Sequence, residues 1–131
     1  MKYYDKKHHR LICVQKEATS EFWDDHWKTA DLKAHIMSGI RNRLVLNTTT
    51  RSLPKGSRIL EGGSGLGQNV YGLSQRGYEA IGVDFAPKTI QQVKSVMPEL
   101  DIRLADVRQL PFGDEYFDGY WSLGVIEHFY D

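Results

Sequence analysis

The run Ile59-Leu60-Glu61-Gly62-Gly63-Ser64-Gly65-Leu66-Gly67-Gln68 decides the fold: an apolar stretch ends in a carboxylate, and four glycines follow within six residues. Glycine at that density lets the chain turn through left-handed conformations and lets a ligand press against main chain. Two phosphate-binding loops are disfavoured. A dinucleotide loop has glycine at its first, third and sixth places, but Gly63 and Gly65 are followed at the sixth by Gln68. A P-loop requires Lys and then Ser or Thr after its last glycine, whereas Gln68 and Asn69 follow Gly67. Glu61 at the mouth of the loop would repel a pyrophosphate and attract an ammonium or sulfonium cation. A helix starting near Gly67 can receive a carboxylate at its N-terminus. The ligand implied is a zwitterion without phosphate.

Outward from this loop, short apolar runs alternate with helical stretches. Residues 58–60, 80–83, 102–105 and 120–126 read as four strands. Residues 67–75 read as a helix stopped by Gly77, and Pro87 opens another with Ile90, Val93 and Met97 on one face, ended by Pro98. This alternation predicts a doubly wound α/β fold with a parallel sheet. Before it, residues 1–56 read as a helical cap and 57–131 as the ligand-binding half-domain, the two forming one compact unit. In the cap, Trp23, Trp27, Ala30, Ala34 and Met37 recur at helical spacing behind Ser20 as N-cap. A second short helix follows Ser38 with Ile40 and Leu44 inward, and Thr48-Thr49-Thr50 with Leu53-Pro54-Lys55-Gly56 break the pattern.

The chain has 131 residues, one domain's worth, and no net charge, so nothing pulls it towards nucleic acid or membrane. Charge is uneven: residues 1–60 hold 12 Lys and Arg against 6 Asp and Glu, and residues 61–131 hold 5 against 11. A basic first half docked on an acidic second half is the simplest reading. The single cysteine, Cys13, has no internal disulfide partner and fits a reducing compartment. His8, His9 and Cys13 lack metal-ligand patterning, so no metal is expected. The expectation is a soluble, cytoplasmic protein, with no apolar run of membrane-spanning length.

Ligands of such folds lie beyond the carboxyl ends of the strands. Glu61, Asp84 and Asp106 follow three successive strands, and residues 122–127 end the fourth. Asp84 is placed to accept hydrogen bonds from both hydroxyls of a ribose.

Together these residues resemble class I S-adenosylmethionine-dependent methyltransferases. The segment Glu61-Gly62-Gly63-Ser64-Gly65-Leu66-Gly67 is similar to the family's first motif, and Asp84, followed by Phe85, matches its ribose-binding acid. Ala105-Asp106-Val107, with Leu110-Pro111-Phe112 and Phe117-Asp118 downstream, resembles the segment whose Asp and next backbone N–H read the adenine edge. The stretch Ser122-Leu123-Gly124-Val125-Ile126-Glu127-His128 is similar to the fourth-strand segment of the small-molecule branch related to quinone-biosynthesis methyltransferases. The resemblance implies a Rossmann-like, doubly wound α/β fold with a mainly parallel sheet in strand order 3-2-1-4, and S-adenosylmethionine as cofactor. It implies a cofactor site of Glu61, Gly62, Gly63, Gly65, Gly67, Asp84, Phe85, Asp106, Val107, Ser122 and Leu123. The segment used to methylate planar amino groups is absent, which argues against adenine, cytosine or glutamine side chains as acceptors, and the resemblance to the small-molecule branch implies a small-molecule acceptor. The family sheet has seven strands, and this chain reads as truncated after the fourth, whose apolar run suggests burial on both faces. A bare edge there would invite a second copy to pair, giving a homodimer.

Some readings stay open. His128 is a candidate base for an acceptor hydroxyl, or a surface histidine. Trp23, Trp27 and Tyr4 are core packing, or an aromatic lid over a cationic cofactor. At the level of function, the leading reading is S-adenosylmethionine-dependent methyl transfer. An S-adenosylmethionine-binding module or pseudoenzyme needing self-association or a partner is the alternative. An NAD-dependent oxidoreductase is opposed by Gln68 and Glu61.

Overall fold

The computed structural model describes residues 2–13, 19–29 and 31–129. The N-terminal part begins with an antiparallel hairpin of β1 (Lys2–Asp5) and β2 (Arg10–Cys13), where helix was expected. Alternating side chains such as Tyr3, Leu11 and Ile12 suit a strand, and His9 turns the hairpin at a positive φ. Three helices follow: α1 (Ser20–His26), α2 (Leu32–Met37) and α3 (Arg43–Ser52). The single helix expected over Trp23 to Met37 is therefore two, because Asp31 starts a new one by accepting from Ala34 N at 2.9 Å. Ala30, part of that expected stripe, lies outside the described residues. The N-cap of α1 is Thr19, not Ser20: its Oγ1 accepts from Phe22 N at 3.2 Å.

Two further expectations for the cap are corrected. A 3₁₀ turn (Ser38–Arg41) precedes α3, and Ile40 and Leu44 point outward, 51% and 64% exposed, while Val45, Leu46 and Thr49 face the core. The three threonines do not break the helix. Thr49 and Thr50 donate their hydroxyls back to the carbonyls of Val45 and Leu46, at 2.8 and 2.7 Å, and α3 runs on to Ser52.

The main sheet comprises β3 (Arg58–Gly62), β4 (Glu79–Asp84), β5 (Ile102–Leu104) and β6 (Gly119–Ser122), with α4 (Gln68–Gln75) and α5 (Pro87–Val96) between the first three. All pairings are parallel and the order is β5-β4-β3-β6, which is the expected 3-2-1-4. Successive strand residues face opposite sides. Ile59, Ala80 and Ile102 pack with Val70, Leu73 and Val93 of the helices and with Ile36, Val45 and Leu46 of the cap. Leu60, Ile81 and Val83 face the other way, beneath Val107, Leu110, Phe112 and Phe117 of the β5–β6 connection. Each fully buried Leu or Ile in these layers contributes about 1.5–3 kcal/mol relative to exposure.

The fourth strand is shorter than expected. It ends at Ser122, and Gly124, at φ 71°, turns the chain into a 3₁₀ turn (Ile126–His128). Nor is it buried on both faces: Gly119 and Trp121 are half-buried, while Tyr120 on the opposite face is 53% exposed.

α4 crosses the 3₁₀ turn so closely that a Cβ on Gly72 would lie 2.5 Å from Gly39 O. Gly72→Ala should therefore cost about 2 kcal/mol despite alanine's better helix propensity, since both contacting groups are backbone. Urea denaturation measures it; an unchanged midpoint would show that the crossing can relax freely.

Candidate functional site

Above the strand ends, the glycine loop is tied down from two sides. Gly63 N and Ser64 N both donate to Val83 O, at 2.8 and 2.9 Å, which fastens the loop to the end of β4. Asp84 then reaches across: its Oδ2 accepts from Gly65 N at 2.8 Å and its Oδ1 from Ala86 N at 3.0 Å. Gly63 and Gly65 have φ of 71° and 51°, a region closed to most side chains. A Cβ at Gly63 would strike Val125, and one at Gly65 would meet the Trp27 ring at 2.6 Å.

Beneath the loop lies Glu61, 4% exposed. Its Oε1 accepts from Asn69 Nδ2 at 2.6 Å, and Asn69 Oδ1 accepts from Asn42 Nδ2 at 2.8 Å. Asn42 in turn caps α3 by accepting from Val45 N at 3.3 Å, so the acid is held by a relay that reaches the cap. Glu61 Oε2 is buried without a partner, as is Ser64 Oγ. Burial pushes the Glu61 carboxyl up to about 7, against the opposing pull of Asn69 and the Val70 N–H; the nearby Asp84 charge adds to the rise. Burial also raises the Asp84 carboxyl, opposed by the backbone N–H groups it accepts from.

A pocket opens where the strand order reverses, between β3 and β6. Gly63, Asp84 and Phe85 form one side, and residues 105–108 another. Leu123, Gly124, Val125, His128 and Phe129 close it from beyond β6, and Trp23 of α1 and Trp27, its C-cap, cover it. Asp106 is held below the ordinary carboxylate range by Arg108, whose Nη2 lies 2.6 Å from its Oδ2 and whose backbone N–H donates to Oδ1 at 2.9 Å. The Arg108 guanidinium also sits 5.3 Å from the Phe129 ring centre. Trp23 meets His128 edge-to-face at 5.0 Å.

Of the residues singled out in the sequence, Gly63, Asp84, Phe85, Asp106, Val107, Leu123 and His128 share this wall. Glu61, Gly62, Gly65, Gly67 and Ser122 do not line it. Gly62 abuts the Tyr120 hydroxyl, Gly65 lies under Trp27, Gly67 begins α4 at φ 75°, and Ser122 pairs with Gly62. Tyr4 is not on the wall; its hydroxyl is 3.4 Å from His9 Nδ1. Sequence reading missed Arg108, Phe129, Asn69 and Asn42, whose roles depend on contacts made only in the fold. Among the described residues, no group of three or more His, Cys, Asp or Glu is arranged to hold a metal, and no helix is long and apolar enough to cross a membrane.

Comparison with known proteins agrees with this architecture. A methyltransferase domain family matches residues 60–131. The chain is 32% identical over 76 residues to a probable S-adenosylmethionine-dependent methyltransferase of Mycolicibacterium smegmatis, covering 58% of this chain and 30% of that protein. It is 30% identical over 125 residues to a ubiquinone biosynthesis O-methyltransferase of Azorhizobium caulinodans, covering 86% and 49%. The chain thus spans half or less of the length of these curated relatives. Among solved structures, an S-adenosyl-L-methionine-dependent methyltransferase candidate from Methanococcus maripaludis shares the fold, with a TM-score of 0.66 at 17% identity over 91% of this chain and 56% of that one. A TehB-like SAM-dependent methyltransferase from Corynebacterium glutamicum matches with a TM-score of 0.54 and 29% identity over 83% and 56%.

Proposed function

Because the chain belongs to the methyltransferase domain family, whose cofactor is S-adenosylmethionine, we propose that it binds this cofactor in the pocket and carries methyl transfer to a small-molecule acceptor. The observation that supports this most is the Asp84 clamp on Gly65 N, which holds a glycine-rich loop beside the acid-bearing strand ends. The residues present fit the cofactor: Gly63 brings side-chain-free main chain to the pocket wall beside Asp84, and among the described residues Glu61 Oε2 and Ser64 Oγ are buried without partners. When bound, S-adenosylmethionine supplies an electrophilic methyl group on a sulfonium. The chain's part is to hold and orient. Asp84 accepts from the ribose hydroxyls, Asp106 and Val107 N–H receive the adenine edge, and Glu61 biases the loop electrostatically towards a cation.

The printed name of the Azorhizobium relative supports an oxygen acceptor on a small molecule. His128, on the pocket wall beside Trp23, is the group to take the acceptor's proton. His128→Ala should lower turnover by about 100-fold near neutral pH. A rate-against-pH profile identical to wild type would remove it as base. The function itself is tested with methyl-labelled S-adenosylmethionine and a panel of hydroxylated small molecules. Label should pass to one of them; cofactor binding with no labelled product in any mixture would favour a binding module.

A second reading has its own observation. Among the described residues β6 has a strand neighbour on one side only, and Tyr120, Leu123 and Ile126 are exposed there. Pairing with a second copy would cover that edge. Sedimentation of the purified chain should show a dimer, and a monomer at all concentrations would contradict the pairing.

A further inference from the structure

Asp24, in the middle of α1, is 4% exposed. Its Oδ1 accepts from Thr89 N at 2.7 Å and from Thr89 Oγ1 at 3.0 Å. Thr89 lies in the first turn of α5, whose N-cap residue Ala86 makes no side-chain hydrogen bond to it. A first-turn N–H needs an acceptor, and here it comes from a segment 65 residues away. Asp24 also lies close enough to Asp84 for its charge to help raise that carboxyl, so the contact adjoins the cofactor wall. On either side of this contact α1 carries Trp23 and Trp27, both partly exposed and both lining the pocket. Trp27 lies against Gly65 and Trp23 against His128, so the two rings span the pocket from the glycine loop to the chain beyond β6.

We propose that α1 is a lid on the cofactor pocket, latched by Asp24 to the start of α5, and that Trp23 and Trp27 present aromatic surface to the cofactor's cationic end. This rests on the cofactor reading above. The latch explains why a carboxylate is buried in a surface helix, and the rings explain why that helix places its aromatic residues over a pocket instead of wholly in the core. Aromatic faces attract a sulfonium and have no such preference for the neutral sulfur left after methyl transfer. The lid therefore holds the reactive cofactor more firmly than its product.

Calorimetry with S-adenosylmethionine and with its demethylated product, S-adenosylhomocysteine, on wild type, Asp24→Asn and Trp23→Leu tests this. Asp24→Asn should weaken both ligands by about 10-fold, because the latch loses its charge-assisted bonds. It should also shrink the tryptophan fluorescence change that the ligands produce. Trp23→Leu should lower the preference for S-adenosylmethionine over its product by about 5-fold, a ratio that a packing role alone would not move. Wild-type affinities in Asp24→Asn, or an unchanged preference in Trp23→Leu, would overturn the lid. Should Asp24→Asn not fold, the preference ratio of Trp23→Leu decides alone. Wild type silent towards both ligands would defeat the cofactor reading, and the lid with it; wild-type binding with indifferent variants defeats the lid only.

Discussion

Asp84→Ala is expected to weaken S-adenosylmethionine binding by about 30-fold or more, corresponding to at least about 2 kcal/mol. Two losses combine. The carboxylate accepts from Gly65 N and Ala86 N, so its removal frees the loop between two left-handed glycines and leaves buried donors without acceptors. It also deletes the acceptor proposed for the ribose. Asp84→Asn separates these contributions, since the amide keeps one acceptor oxygen and so supports part of the loop while losing the charge; it should fall between wild type and alanine. Calorimetric titration reads both variants. Wild-type affinity in Asp84→Ala would refute the placement of the ribose at β4.

Glu61→Gln carries the second large effect, and its sign depends on pH. The folded carboxyl titrates at about 7 against an ordinary 4.5, so between those values the unfolded chain has released a proton that the fold retains. Below about pH 4.5 both states are protonated and the contribution to stability is complete. It is lost as pH rises through 7, at up to about 1.4 kcal/mol per pH unit and about 3 kcal/mol in all. Glu61→Gln keeps an oxygen for Asn69 but cannot ionise. The ligand-free variant should lack this part of the pH dependence and be more stable than wild type at pH 8, as measured by urea denaturation across pH. Its affinity for the cationic cofactor at pH 8 should fall, because the buried negative charge is gone. Parallel stability curves for the two proteins would show that Glu61 does not titrate in the fold as its burial requires.

The sheet was legible because its signals are local. Apolar runs at 58–60 and 80–83, the helix starts at Pro87 and near Gly67, and Gly77 as a stop all depend on neighbours in sequence; the parallel sheet follows from their alternation, and the strand order from the family resemblance. The cap was less legible. Residues 2–13 form a hairpin whose turn has no glycine, and His9 takes the positive φ instead. Thr48-Thr49-Thr50 suggest a break by propensity, yet the hydroxyls of Thr49 and Thr50 bond back to the preceding turn and α3 continues. At the site, the acids at the strand ends were visible from position alone. The side chains that hold them were not, because the Asn42–Asn69–Glu61 relay and the Asp24–Thr89 contact join segments far apart in the chain. Arg108 was hidden for another reason: its pairing with Asp106 is local, two residues away, but nothing in the sequence brings its guanidinium over Phe129 at the pocket.

The most direct measurement is a calorimetric titration of the purified chain with S-adenosylmethionine, S-adenosylhomocysteine and NAD. The account predicts one site per chain for the first two and none for NAD, because the loop carries Glu61 and lacks a glycine at Gln68. Binding of NAD with no response to either sulfur ligand would contradict it.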